Sequence, residues 1–125
     1  MVLLWGLGSK DRPWTAEQGE ELINFFKNDQ KYGGVYLIGG VDPHWRTLKG
    51  DSRDDPAWAR VYRMFDAISP WNAGRYRDDA STDAHRKAVW EPDMAELKTL
   101  NKDYMPTAFP GFSSDNMNRR NRGRP

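Results

Sequence analysis

Apolar residues gather in short runs set between longer polar stretches, and the spacing inside the runs alternates between two periods. Val2-Leu3-Leu4-Trp5 is a continuous apolar run ending at Gly6, the mark of a short buried strand over residues 2–6. Thr15-Ala16-Glu17-Gln18 then matches a capping box, with Thr15 as N-cap and Gln18 reaching back from the third helical position. The helix it opens carries Leu22, Ile23, Phe25 and Phe26 on one side and ends before Gly33-Gly34. Val35-Tyr36-Leu37-Ile38 is a second apolar run, closed by Gly39-Gly40. Asp55-Pro56 supplies a cap and a first-turn proline. Trp58, Val61, Tyr62 and Phe65 follow at i, i+3, i+4 and i+7, one apolar helix face. Ala67-Ile68-Ser69 is a third, very short strand, and residues 78–90 are polar with no decisive period. Pro92 opens a last helix with Met94, Leu97 and Leu100 on one face. Residues 104–109 are a fourth candidate strand, although Pro106 cannot donate to a sheet ladder. After Gly111 the periodicity ends.

Strand followed by helix, repeated about three and a half times, predicts a parallel α/β sheet. The connections have a polarity: those from helix to strand are short, while those from strand to helix (residues 7–14, 40–55 and 70–91) are long. In barrels and doubly wound sheets, function sits where such long loops leave the strand C-termini. A closed eightfold barrel needs ~250 residues, and this chain has 125. The expectation is therefore an α/β fold: a partial (β/α) TIM-type barrel over residues 1–112, with about four parallel strands and outer helices. A basic tail over 113–125 follows, and the rest of the barrel is missing from the chain.

Composition sharpens this picture at three points. Aromatics are 13% of the chain, with six Trp, yet the mean hydropathy is −0.91, which predicts that several aromatics sit at wet sites. The absence of cysteine excludes disulfides, zinc–thiolate sites and cysteine nucleophiles. Four of the 19 Lys/Arg but only one of the 18 Asp/Glu fall in residues 114–125, so the remainder is slightly acidic and has no basic excess to attract nucleic acid or an anionic membrane. The apolar start is too short for a signal peptide, and no stretch approaches the ~20 apolar residues of a membrane span. Nothing in the sequence assigns a compartment.

The predicted rim carries a recurring mixture. Its first loop holds Trp5-Gly6-Leu7-Gly8 with Asp11-Arg12, and its second Gly39-Gly40-Val41-Asp42-Pro43-His44-Trp45-Arg46. The third holds Ser69-Pro70-Trp71-Asn72 and Arg75, and the fourth Phe109-Pro110-Gly111-Phe112 with Asn116. Sugars call for such a set: flat faces for the C–H side of the ring, planar hydrogen-bonding groups for hydroxyls, and small residues for close approach. The candidate binding residues are Trp5, His44, Trp45, Arg46, Trp71, Arg75 and Phe112. Each also has a plainer reading, a Trp as a lid on the core and an Arg as the partner of a nearby aspartate; only their recurrence on one rim favours a site. Other chemistries lack their residues. Gly6-Leu7-Gly8 has Asp11 where a dinucleotide loop needs its third glycine, and Gly8-Ser9-Lys10 lacks the Gly-Lys-Ser/Thr order of a phosphate loop. His44 and His85 share no metal-ligand spacing, and Asp51-Ser52-Arg53-Asp54-Asp55 lacks the glycine and terminal Glu of a calcium loop. No cofactor and no metal are expected.

At these residues the chain resembles glycoside hydrolase families 71 and 99, especially the bacterial proteins of the xylosidase/arabinosidase type. The matching stretches are Trp5-Gly6-Leu7-Gly8 with Asp11-Arg12-Pro13-Trp14-Thr15, and Tyr36-Leu37-Ile38-Gly39-Gly40-Val41 with His44-Trp45-Arg46. Asp66-Ala67-Ile68-Ser69-Pro70-Trp71 with Gly74-Arg75 follows, then Asp103-Tyr104-Met105-Pro106 with Phe109-Pro110-Gly111-Phe112. Pro43 stands where the family motif often has a small polar residue before its histidine. The resemblance implies an eightfold (β/α) barrel that hydrolyses glycosidic bonds through two acidic side chains. The family's acidic motif, similar to Glu-Trp-His-Glu-Gly, would lie beyond residue 125, so no catalytic residue is assigned and this chain alone is expected to be inactive. Asp42 and Asp66 are the carboxylates nearest to strand ends, but Asp66 precedes its strand and so belongs to the opposite end. Two other classes of function remain in view: nucleic-acid binding through Arg119, Arg120, Arg122 and Arg124, and a non-catalytic sugar-binding module.

Overall fold

A computed structural model describes residues 1–108, so Phe112, the rest of the fourth rim loop and the arginine-rich tail lie outside the described residues. Its strands are β1 (Val2–Trp5), β2 (Leu37–Val41), β3 (Ala67–Pro70) and β4 (Asp103–Tyr104). Its α-helices are α1 (Ala16–Asn28), α2 (Ala57–Tyr62), α3 (Asp79–His85) and α4 (Glu91–Thr99). The strands form one sheet in the order β1-β2-β3-β4, and every neighbouring pair is parallel. This is the α/β arrangement predicted by the alternation of strand and helix.

Register sorts the strand residues onto two faces. Leu4, Gly39, Ile68 and Tyr104 stand side by side across the sheet, as do Val2 and Leu37. That face belongs to the core, where Leu37, Val41 and Ile68 meet Ile23 of α1, Trp58, Val61 and Tyr62 of α2, Phe65, and Leu97 of α4. Successive strand residues point to opposite faces. Leu3, Trp5, Tyr36 and, beyond β3 and β4, Trp71 and Met105 therefore share the other face, where all five are exposed. Monotonic strand order with right-handed crossovers places every crossover helix on one side, which leaves the second face without a helical layer.

α1 repeats the capping chemistry written in the sequence. Thr15 accepts from the Gln18 backbone N–H, and the Gln18 side chain accepts from the Thr15 backbone in return. Asp55 Oδ1 accepts from Ala57 N at 2.9 Å, but the N-cap of α2 is Pro56 and no side chain caps it; Trp58, Val61 and Tyr62 are buried on the helix, and Phe65 is buried just beyond its end at Tyr62. α1 departs from expectation. Leu22 and Phe25 are exposed, and its inward stripe is Ala16, Gly19 and Ile23 with Phe26 partly buried. The reason is close packing against α2: a Cβ on Gly19 would stand only 3.0 Å from the Trp58 ring. Counting large apolar residues overlooks a stripe made of small ones.

Residues 79–90 are helical. Asp78 caps α3 through a second capping box with Ser81, and a π-helical turn over Arg86–Trp90 joins α3 directly to α4. Pro92 therefore lies within a longer helical rod. Proline removes an i→i−4 hydrogen bond and crowds the carbonyl four residues back; the widened turn immediately before it accommodates that misfit. On α4, Leu97 is buried but Met94 and Leu100 are exposed, and the buried companion of Leu97 is Asp93. The fourth strand is also shorter than predicted, ending at Tyr104 before Pro106.

Candidate functional site

A cleft of about 320 Å³ opens at the C-terminal ends of β1, β2 and β3, lined by Trp5, Gly6, Ser9, Asp11, Arg12, Gly40, Val41, Asp42 and Trp71. Two glycines that are neighbours in sequence shape it from opposite faces. A Cβ on Gly39 would collide with the buried Phe65 ring, and a Cβ on Gly40 would collide with the indole of Trp5. Gly39 thus admits the core, whereas Gly40 lets Trp5 lie across β2 toward Trp71. The two indoles meet edge to face, with centroids 5.6 Å apart and planes at 86°. They remain 46% and 51% exposed, so both offer ring surface to solvent.

Asp42 provides the half-buried carboxylate of this cleft. Ser9 Oγ donates to Asp42 Oδ2 at 2.6 Å. Burial raises the Asp42 carboxyl above its ordinary range, and the Ser9 hydrogen bond opposes that only in part. Ser9 is held in place by a clasp between the first two rim loops. Lys10 N donates to Asp51 O and Arg53 N to Gly8 O, each at 2.8 Å, around a Ser9–Ser52 bridge. A third loop joins them through an ion pair between Arg75 and Asp51, which holds the Asp51 carboxyl below its ordinary range.

The predicted site residues divide into groups. Trp5 and Trp71 line the cleft. Arg75 is on the same rim but is engaged with Asp51; His44 packs close to Gly50 beside them. Trp45 and Arg46 are corrections to the expectation of an exposed sugar platform. Trp45 is 0% exposed, inside the core. Its Nε1–H donates to Asp93 Oδ2 and Arg46 Nε donates to Asp93 Oδ1, both at 2.9 Å. Tyr104 Oη donates to the same carboxylate at 3.3 Å. Asp93 is 1% exposed, and a carboxylate so deeply buried needs these donors. Burial still raises its pKa, with Arg46 and Trp45 acting against the rise. The second loop is thereby drawn onto α4, and both side chains are spent on anchoring it. Phe112 lies outside the described residues.

Asn72 is similarly structural. It is fully buried, with Nδ2 donating to Pro70 O at 3.3 Å and its backbone N–H donating to Thr107 Oγ1 at 3.0 Å. Its Oδ1 therefore accepts from Nε2 of His85, 3.0 Å away, which fixes that ring's tautomer. Burial first, then the charges of His44 and Arg75, holds the His85 imidazole below its ordinary range. Asp66 lies at the far end of the sheet, as its position before β3 predicts. It accepts from Lys27 Nζ at 2.5 Å and from Leu37 N at 2.8 Å. Sequence reasoning did not select Ser9, Arg12 or Asp42 as site residues. The rim loops did hold Arg12 and Asp42, with Asp42 near a strand end; in the structure Gly39-Gly40 lie within β2 rather than closing it, and Asp42 directly follows its last residue, Val41. Among the described residues no group of His, Asp and Glu is arranged to hold a metal ion. No protein-family model matches the chain, and no curated protein or solved structure matches it either.

Proposed function

We propose that residues 1–108 form part of the carbohydrate-binding rim of a (β/α)-barrel glycoside hydrolase, with hydrolysis performed by carboxylates that this chain does not contain. The observation that carries the reading is the Trp5–Trp71 pair, half exposed at the strand C-termini beside Asp42, Arg12 and Gly40. Indole faces take up the C–H surface of a sugar ring, whose burial is favourable because it leaves water. Adjacent charged groups supply the hydrogen bonds that orient the hydroxyls. A sheet with helices on one face only, and a bare face behind the cleft, is the arrangement that barrel strands adopt, with side chains of the bare face turned inward. The family resemblance set out above points the same way.

Affinity electrophoresis of the 125-residue chain through gels containing soluble xylan, arabinan, β-glucan or mannan tests this. Retardation is expected on at least one of them, and Trp71→Ala should abolish it while changing the thermal midpoint little. Free migration on all four, or a loss of Tm in proportion to the loss of binding, would overturn the reading. Hydrolysis needs a proton donor and a second carboxylate held ~5–9.5 Å apart. Sugar release by the purified chain above a heat-treated control would refute the assignment of the chemistry to residues elsewhere.

A further inference from the structure

We infer that Asp42 is the specificity-determining residue of the cleft: its carboxylate accepts hydrogen bonds from the hydroxyls of a neutral sugar lying against Trp5 and Trp71. This rests on the sugar-binding reading above and assigns a role that the sequence did not. The cleft wall is apolar on one side, and a carboxylate is an acceptor-only group when ionised. One oxygen, Oδ2, is occupied by the Ser9 hydroxyl at 2.6 Å. The other, Oδ1, has no partner among the described residues, although Asp42 lines the cleft. A carboxylate oxygen with no donor from the protein can accept one brought by a ligand. Sugar hydroxyls are such donors, and hydrogen bonds to an ionised acceptor are the strong kind.

The surroundings set both geometry and charge. Ser9 is buried and clasped by the Ser9–Ser52 bridge, so it holds the carboxylate in one orientation. Asp11 and Arg12 also line the cleft, and Asp51 and Arg75 act on Asp42 electrostatically from the neighbouring loops. With two aspartates and one arginine on the lining, an acidic sugar meets a like charge at the group meant to read its hydroxyls. The cleft is thus suited to neutral glycosides and penalises uronates. Binding requires ionised Asp42. It should therefore weaken as pH falls through the Asp42 pKa, which burial has moved upward.

The test uses the full 125-residue chain labelled with ¹⁵N, whose indole N–H signals for Trp5 and Trp71 are assigned from Trp5→Phe and Trp71→Phe. The probes are methyl β-xylopyranoside, methyl β-glucopyranoside, methyl α-mannopyranoside and glucuronate. At least one neutral glycoside should shift both signals, and glucuronate should bind more weakly. Asp42→Asn should weaken the neutral probe about tenfold to hundredfold and remove the acid limb of binding. Unchanged affinity and pH profile in Asp42→Asn would overturn the role of Asp42 while leaving the sugar cleft standing. No shift from any probe would defeat the sugar reading itself, and this inference with it. Should Asp42→Asn fail to fold, Ser9→Ala decides. Without the hydroxyl that steadies the ionised carboxylate, the pH midpoint of binding should move upward, and an unmoved midpoint would overturn the proposal.

Discussion

The two faces of the sheet are built from the same strands, yet they do opposite things with aromatic residues. On the helix-covered face, Trp45, Trp58, Tyr62 and Phe65 are sealed in the core. On the bare face, Trp5, Tyr36 and Trp71 keep large exposed surfaces. Hydrophobicity does not distinguish these groups; the helices do. α1 and α2 cover one side, where Asp93 collects hydrogen bonds from Trp45, Arg46 and Tyr104, although the buried Tyr62 hydroxyl has no partner among the described residues. The bare side instead ends in a cleft where one oxygen of Asp42 has no partner among the described residues.

The largest expected effect comes from breaking the sealed side. Asp93→Ala would leave the Trp45 N–H and the Arg46 guanidinium without their acceptor, at a cost of about 3–5 kcal/mol. Urea unfolding measures it, and a loss below 1 kcal/mol would mean that the buried cluster is replaceable. The glycine pair gives a sharper comparison, because its two positions serve the two faces. Gly39→Ala drives a methyl into the Phe65 ring and should cost about 1–3 kcal/mol. Gly40→Ala pushes on Trp5, which can swing toward solvent, so its cost should stay under about 1.5 kcal/mol, the value of an aromatic pair. The Trp5 indole signal should nevertheless move in Gly40→Ala and stay in place in Gly39→Ala. The reverse pattern would put Trp5 on the wrong face.

The smallest effect separates the two ends of the sheet. Burial tends to raise the Asp66 carboxyl, but Lys27 and the Leu37 N–H outweigh it and leave the folded pKa lowered. A lowered carboxylate pKa stabilises the fold above the unfolded pKa of ~3.9, and that contribution is lost as pH falls through the folded value. Asp66→Asn should therefore cost about 1 kcal/mol or less near neutrality, the pair being open to screening, with the difference vanishing in acid. Asp42 has the opposite sign: its raised pKa makes ionisation a burden on folding at neutral pH, so Asp42→Asn should be neutral or slightly stabilising. Chemical denaturation at several pH values checks both. Parallel behaviour of the two variants would erase the distinction between the ion-paired carboxylate at one end of the sheet and the half-buried one at the other.

What the sequence determined by itself was the local and the repetitive. Both ends of the argument for a parallel sheet, apolar runs and helix caps, depend on residues within a few positions of one another. Thr15 with Gln18 and the helical spacing of Trp58, Val61 and Tyr62 could accordingly be read directly, as could the long strand-to-helix loops. Position before a strand also placed Asp66 at the far end. Which tryptophan is buried in the core and which stays half exposed at the cleft was decided only by tertiary structure. The partner that buries Trp45 is 48 residues away, Asp51 is 24 residues from Arg75, and Ser9 reaches Asp42 across 33. Periodicity cannot see such pairings, because burial and hydrogen bonding answer to whatever the fold brings alongside. Trp45 and Trp71 look alike in sequence as rim tryptophans. They differ because α4 delivers Asp93 to one, while no helix covers the face that carries the other.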